Sequence, residues 1–229
     1  MKNLLLSIAF LAFFSLGCGL FNRIADPTAN VATNGGSTPT ASSEGDAAPP
    51  SGDPRADVVA ASKKFIDLPK FSARMDGTGK TELHATLDYQ APDRYHMLNL
   101  STSQQQMNEF FIIGKDMYMK LGDRWQKMPG VAGSAMPNLR KMFDDEGLKR
   151  LQDVKYVGDE TLNGRPAHVY SYHSTQTDST VPYPFTSKIW VGTADGLPQK
   201  IEVTYDGGDL KTMIITYDYE KSIDIKPPV

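Results

Sequence analysis

The stretch from Lys188 to Tyr219, KIWVGTADGLPQKIEVTYDGGDLKTMIITYDY, decides the fold. Three apolar runs in it alternate with polar residues at period two. The breaks between them, Ala194 to Pro198 (ADGLP) and Asp206 to Asp209 (DGGD), are turn chemistry. The reading is a β-meander of three antiparallel strands. Taking ADGLP as a five-residue loop pairs Thr193 with Gln199, Val191 with Ile201 and Ile189 with Val203. For the second turn, a three-residue loop pairs Val203 with Met213 and Ile201 with Ile215, whereas a two-residue loop pairs Val203 with Thr212 and Ile201 with Ile214. The three-residue loop is preferred because it gives one continuous apolar face. That face is Ile189, Val191, Ile201, Val203, Tyr205, Met213, Ile215 and Tyr217, backed by Lys188, Lys200, Glu202, Thr204 and Thr216. Trp190 and Ile214 fall on the polar side with no reason for being there.

Working upstream, Asp53-Pro54 has the chemistry of a helix start, with Asp as N-cap and Pro at the first helical position. Val58, Ala61, Phe65 and Leu68 then recur at helical spacing until Pro69. Phe71, Ala73 and Met75 alternate with polar partners, the sequence DGTG (Asp76 to Gly79) reads as a turn, and Thr81 to Tyr89 alternates again. Arg94 to Ser101, Met107 to Ile113, Met117 to Leu121 and Trp125 to Met128 give four more strands. The block Val131 to Asp153 changes to helical spacing, with Leu139, Met142 and Phe143 on one face, and predicts two short helices or one broken one. Strands resume with Lys155 to Leu162 and Arg165 to Ser174 around an Asn163-Gly164 turn, a strong hairpin signal. The sum is an α+β chain of about 9–11 antiparallel strands with no βαβ alternation.

The ends define the organisation. Residues 1–17 have a basic start at Lys2 and about a dozen apolar residues, the length of a secretory h-region and too short to span a bilayer. Cys18 is the only cysteine, which excludes an internal disulfide and a multi-cysteine metal site. Residues 18–54 are rich in Thr, Asn, Ala, Ser, Gly and Pro and cannot bury a core, so they read as a disordered tether with an r.m.s. span of roughly 30–36 Å. Residues 55–229 form the folded domain. The charges of residues 1–54 are Lys2, Arg23, Asp26, Glu44, Asp46 and Asp53, so the domain is close to neutral, about −1 against −3 for the whole chain. A near-neutral domain argues against a nucleic-acid partner.

Ser15-Leu16-Gly17-Cys18 resembles the bacterial lipoprotein signal, although Ser15 stands where Leu is usual. The resemblance implies cleavage before Cys18, a diacylglyceryl group on its thiol, and N-acylation with a palmitate-type chain. The protein would then be exported and anchored to a membrane of the cell envelope, with its domain in the periplasm or outside the cell. Gly19 leaves an outer-membrane destination open. Two or more acyl chains anchor durably where one binds marginally.

The domain resembles the LolA-like superfamily of lipoprotein carriers and anchored lipoproteins (LolA/LolB and LppX/LprG types). The residues that carry the likeness are FFIIGKDMYMKLGDRWQKM (Phe110 to Met128), VGDETLNGRPAHVYSY (Val157 to Tyr172), DGLPQKIEV (Asp195 to Val203) and TYDYEKSIDIKPP (Thr216 to Pro228). It implies a strongly curved antiparallel half-barrel whose concave face is capped by helices and encloses a hydrophobic cavity for acyl chains. On that expectation Ile189, Val191, Ile201, Val203, Met213 and Ile215 line one wall, and Met136, Met142 and Phe143 of the helical insertion act from a lid. The nine methionines after Cys18 suit a surface that adapts to flexible chains. The expected partner is a lipid or an acylated protein, bound for transport or sensing. A second possibility is a stress-sensing lipoprotein whose half-barrel recognises an envelope protein partner.

Catalytic motifs are missing: the sequence has no G-x-S-x-G, Walker loop, H-E-x-x-H or C-x-x-C. His168 and His173 lie five apart on one strand and face opposite sides. His84 and His96 sit among polar neighbours, and Asp144, Asp145 and Glu146 read as a solvated run. The expectation is a non-enzyme without a cofactor or metal.

Overall fold

The computed structural model describes residues 50–100, 109–130, 145–175 and 183–228, all within the unit Ser42–Val229. Cys18, Met136, Met142 and Phe143 lie outside the described residues.

The first helix, α1 (Pro54–Ile66), starts where its sequence says it must. Asp53 is extended and its carboxylate accepts from the backbone N–H groups of Arg55 and Ala56, with Pro54 following it. Val58, Ala61 and Phe65 form the buried stripe. Eleven strands follow among the described residues: β1 (Lys70–Gly79), β2 (Leu83–Gln90), β3 (Arg94–Asn99), β4 (Glu109–Ile113), β5 (Asp116–Leu121) and β6 (Arg124–Met128), then β7 (Gln152–Leu162), β8 (Arg165–Ser174), β9 (Phe185–Gly192), β10 (Pro198–Tyr205) and β11 (Leu210–Asp218). A second, five-residue helix, α2 (Asp145–Lys149), precedes β7.

All strands belong to one antiparallel sheet in the order β6-β5-β4-β3-β2-β1-β11-β10-β9-β8-β7. The two edges, β6 and β7, do not pair, so the sheet is an open, curved half-barrel rather than a closed barrel.

The meander forms as expected, with one change of register. Across the second turn Ile201 pairs with Ile215 and Val203 with Met213, the three-residue solution. Across the first turn Ile201 faces Ile189, two residues from its expected partner Val191, and Val191 faces Pro198, three residues from its expected partner Ile201. A one-residue bulge between Pro198 and Lys200 makes the difference between the two. Gln199 sits in it, buried, and its amide donates to the Asp195 carboxylate at 3.0 Å. Because side chains alternate at period two, an even slip changes partners without changing faces.

DGTG is not a turn. β1 runs through it to Gly79, and the reversal falls at Lys80–Glu82. Gly77 is there for packing, since a Cβ would stand 2.7 Å from Leu210 Cδ1 and 3.3 Å from Leu83 Cβ. The Asn163-Gly164 turn is real: both residues have positive φ, 51° and 79°, as a tight hairpin requires.

Trp190 is now accounted for. It is 3% exposed on the convex face, packed with Ala167, Val169 and Leu162 in a small second core. Lys188 and Lys200 place their ammonium groups 5.1 and 4.5 Å from its ring, and its indole N–H donates to Glu160 at 2.8 Å. Cation–π contact and the lysine stems thus cover an apolar ring on the wet side. Ile214 stays exposed.

The convex face also holds an ion network over β1 to β5. Asp88 accepts from Ser72 (2.7 Å) and Lys221 (2.8 Å), and His96 stands between Asp88 (3.6 Å) and Glu109 (3.0 Å) with its ring stacked on Phe111 at 4.2 Å. Burial alone would raise the Asp88 carboxyl, but hydrogen bonds from His96, Lys221 and Ser72 hold it well below the usual range. The carboxylates of Asp88 and Glu109 raise His96 above its ordinary value.

One clamp ties the helices together. The Arg55 guanidinium donates to the carbonyls of Leu148 (2.8 Å), in the last turn of α2, and Leu151 (2.6 Å), just beyond it. Leu148 and Leu151 are thereby seated in the main core.

Two outcomes are expected. The stability that His96 contributes is complete below the ordinary histidine value of about 6.5 and is lost as pH rises through its raised folded value. Asp88 contributes above about 3.9, and its share is lost as pH falls toward its lowered folded value. The urea midpoint is therefore lower at pH 9 than at pH 6, and His96→Gln shrinks that difference. Arg55→Ala destabilises by about 1–3 kcal/mol, and hydrogen exchange shows it locally as faster exchange at the amides of Arg150 and Leu151.

Candidate functional site

The concave face is where the apolar side chains of the sheet collect, and it has two regions. The first lies with α1. Val58, Ala61 and Phe65 share one buried cluster with Phe71, Ala73, Met75, Leu87, Tyr89, Tyr170 and Tyr217, and with Ile189, Val191, Ile201, Val203 and Ile215. Phe65 has no exposed surface and meets the rings of Phe71 and Tyr217 at centroid distances of 4.7 and 5.0 Å. The structure therefore brings five of the six meander residues singled out from sequence into one body with the helix, and Met213 stands partly buried at its margin. α1 packs against β7 and β10, Tyr170 of β8 donates to Asp57 at 2.9 Å, and Lys64 donates to the Asp195 carbonyl at 3.1 Å.

The second region is the β3–β6 limb, which sequence reasoning did not single out. Cross-strand partners share a face, so the pairing ladders define two parallel rows. One runs Phe71, Tyr89, Tyr95, Ile112, Met117, Met128. The other runs Ala73, Leu87, Met97, Phe110, Met119. Ile112, Met117 and Met119 are buried and form a cluster of their own with Tyr95, Phe110 and Met128. Four methionines thus stand on one face of one limb. The two regions are continuous: Phe65, Phe71, Tyr89 and Tyr95 form a ladder of rings at 4.7, 5.2 and 5.1 Å, and Tyr95 packs against both clusters.

Magnitudes show why this face is the site. A 13-residue helix is about 20 Å long and about 10 Å across. Eleven strands at about 4.8 Å spacing make an arc of roughly 48 Å. One such helix covers less than half of that arc. At the β7 edge the face ends in a polar group: the Tyr156 hydroxyl donates to Asp159 at 2.6 Å, and His168 Nδ1 lies 2.6 Å from the same oxygen. Burial, with Asp159 beside it, pushes the Tyr156 phenol up to about 12. Among the residues described, no cluster of three His, Cys, Asp or Glu side chains is arranged to hold a metal ion.

No family model matches the chain, and no curated protein matches it. Solved structures do. The lipoprotein LppX of Mycobacterium tuberculosis superposes with a TM-score of 0.59 at 13% identity, over 76% of this chain and 98% of that one. LprF from Mycobacterium bovis superposes with a TM-score of 0.57, also at 13% identity, over 76% of this chain and 96% of its own. At such identity the likeness is one of fold, and it extends over nearly the full length of both proteins. The chain thus has the LolA-like fold, the open half-barrel shared with LppX and LprF.

Proposed function

We propose that this protein binds lipid acyl chains along its concave face, as an envelope lipoprotein anchored through Cys18, and that it carries or senses them without catalysis. The observation that supports this most strongly is the unbroken apolar surface from the α1 region to Met128, which exceeds what α1 can cover. Removing apolar surface from water is worth about 25 cal/mol per Å², so an acyl chain seated against the β3–β6 limb gains several kcal/mol from the burial of its own surface, without any polar contact. Methionine suits that task because its unbranched, polarizable thioether repacks around chains of different length and unsaturation. The likeness in fold to LppX, itself a lipoprotein, agrees with an exported, lipid-modified chain. A half-barrel that grips a protein partner would use the same face and is the competing reading.

Residues 42–229, the unit that contains every described element, are expected to carry copurified lipid in native mass spectrometry after preparation without detergent. They should also take up a fluorescent fatty-acyl probe. Met119→Glu, which puts a carboxylate on the buried limb, weakens probe binding tenfold or more. Repeated absence of both lipid and probe would sink the lipid reading and favour the protein-partner one. In the full chain, Cys18→Ala moves the protein from the membrane fraction to the soluble fraction, and unchanged fractionation would remove the anchor.

A further inference from the structure

Among the described residues, one buried side-chain polar atom has no partner. The Tyr217 hydroxyl is buried on the concave face, with the residue 7% exposed, and makes no hydrogen bond. Neighbouring tyrosines do not share this condition. Tyr89 donates to the Pro92 carbonyl, Tyr170 to Asp57 and Tyr219 to the Pro198 carbonyl. A buried hydroxyl left unpaired destabilises a fold by about 1–3 kcal/mol, and a phenylalanine would fill the same space without that loss. Such an atom calls for a reason.

Its position in the sheet supplies one. Tyr217 pairs with Ala73, so it heads the concave row that continues through Leu87, Met97, Phe110 and Met119. From β11 to β5 that row crosses five strand gaps, roughly 24 Å, more than the depth of about 15 Å that one leaflet of hydrocarbon occupies. The step next to Tyr217 is Ala73, the smallest side chain of the row. Burial pushes the Tyr217 phenol far above its usual value, so it keeps its proton and can donate.

We propose that the Tyr217 hydroxyl is the polar recognition point of the concave face, donating to the carbonyl oxygen of an acyl ester whose hydrocarbon tail lies along the Leu87–Met97–Phe110–Met119 row. The inference rests on the lipid-binding reading and adds to it a chemical class: the ligand is an ester-headed chain, and a bare hydrocarbon is discriminated against. A deep donor costs the empty protein stability and returns it when an acceptor arrives, which makes the ester oxygen a condition of tight binding.

The test compares residues 42–229 and their Tyr217→Phe variant, using methyl palmitate and an alkane of the same heavy-atom count to displace a fluorescent alkyl probe. The expected result is that the unaltered protein prefers the ester and that Tyr217→Phe lowers ester affinity about tenfold while leaving the alkane unchanged. In the ligand-free state the same variant should raise the thermal midpoint. An equal loss for ester and alkane, an unchanged ester preference, or a lowered midpoint would each overturn the assignment. The last of these would mean that the hydroxyl is already satisfied in the ligand-free protein. Failure of the unaltered protein to bind either compound would instead remove the lipid-binding reading itself.

Discussion

An open sheet of eleven strands has to find cover for one apolar face, and the chain has one long described helix with which to do it. Much of the rest of the structure answers to that mismatch. α1 is placed by its cap at Asp53, by Lys64 at the Asp195 carbonyl and by Tyr170 at Asp57, and it seals the β1 and β7–β11 part through Phe65. Arg55 then draws the end of α2 onto the same core, adding Leu148 and Leu151. The β3–β6 limb has a buried cluster of its own, and it is lined with the most adaptable apolar side chain available. In a closed barrel the same residues would fill one another's space and no ligand reading would arise.

The convex face answers a different demand. It must stay wet along its length, yet Trp190, Phe111 and Trp125 lie on it. Each is managed by charge: lysines stand over the two indoles, and His96 lies flat on Phe111 while held by two carboxylates. Surface ion pairs are individually weak, so the benefit here is the covering of rings as much as the pairing of charges.

Much of this was legible in the sequence, and the misses have physical causes. Faces in the meander could be read because an even register error preserves them, which is why Ile201 changed its partner from Val191 to Ile189 without leaving the apolar side. DGTG misled because glycine permits a turn and also permits close approach, and only the neighbours Leu210 and Leu83 say which is at work. Trp190 looked misplaced because its cover comes from Lys188, Lys200 and Glu160, lysines next to it in the sheet and an acid from a strand far away in sequence. The β3–β6 limb stayed hidden for a simpler reason: in FFIIGKDMYMK both faces are apolar, so alternation does not say whether Phe110, Ile112, Met117 and Met119 or Phe111 and Tyr118 point inward. Only the ladder from Leu87 and Tyr89 decides it. The unpaired Tyr217 hydroxyl has no sequence signature.

The pairing of β1 with β11 has a consequence in time as well as in space. Strands β1 to β6 and β7 to β11 are two runs of neighbours in sequence, each able to zip locally from hairpins. They are joined into one sheet where Ser72 meets Asp218 and Met75 meets Ile215. A contact of such sequence separation carries a large loop-closure entropy and forms late. Since α1 also rests on β7 and β10, the first helix and the second edge of the first strand must wait for the last strands before they are seated. The half-barrel is therefore completed only once nearly the whole chain is present, and until then its concave face stands open to whatever apolar molecule is nearest.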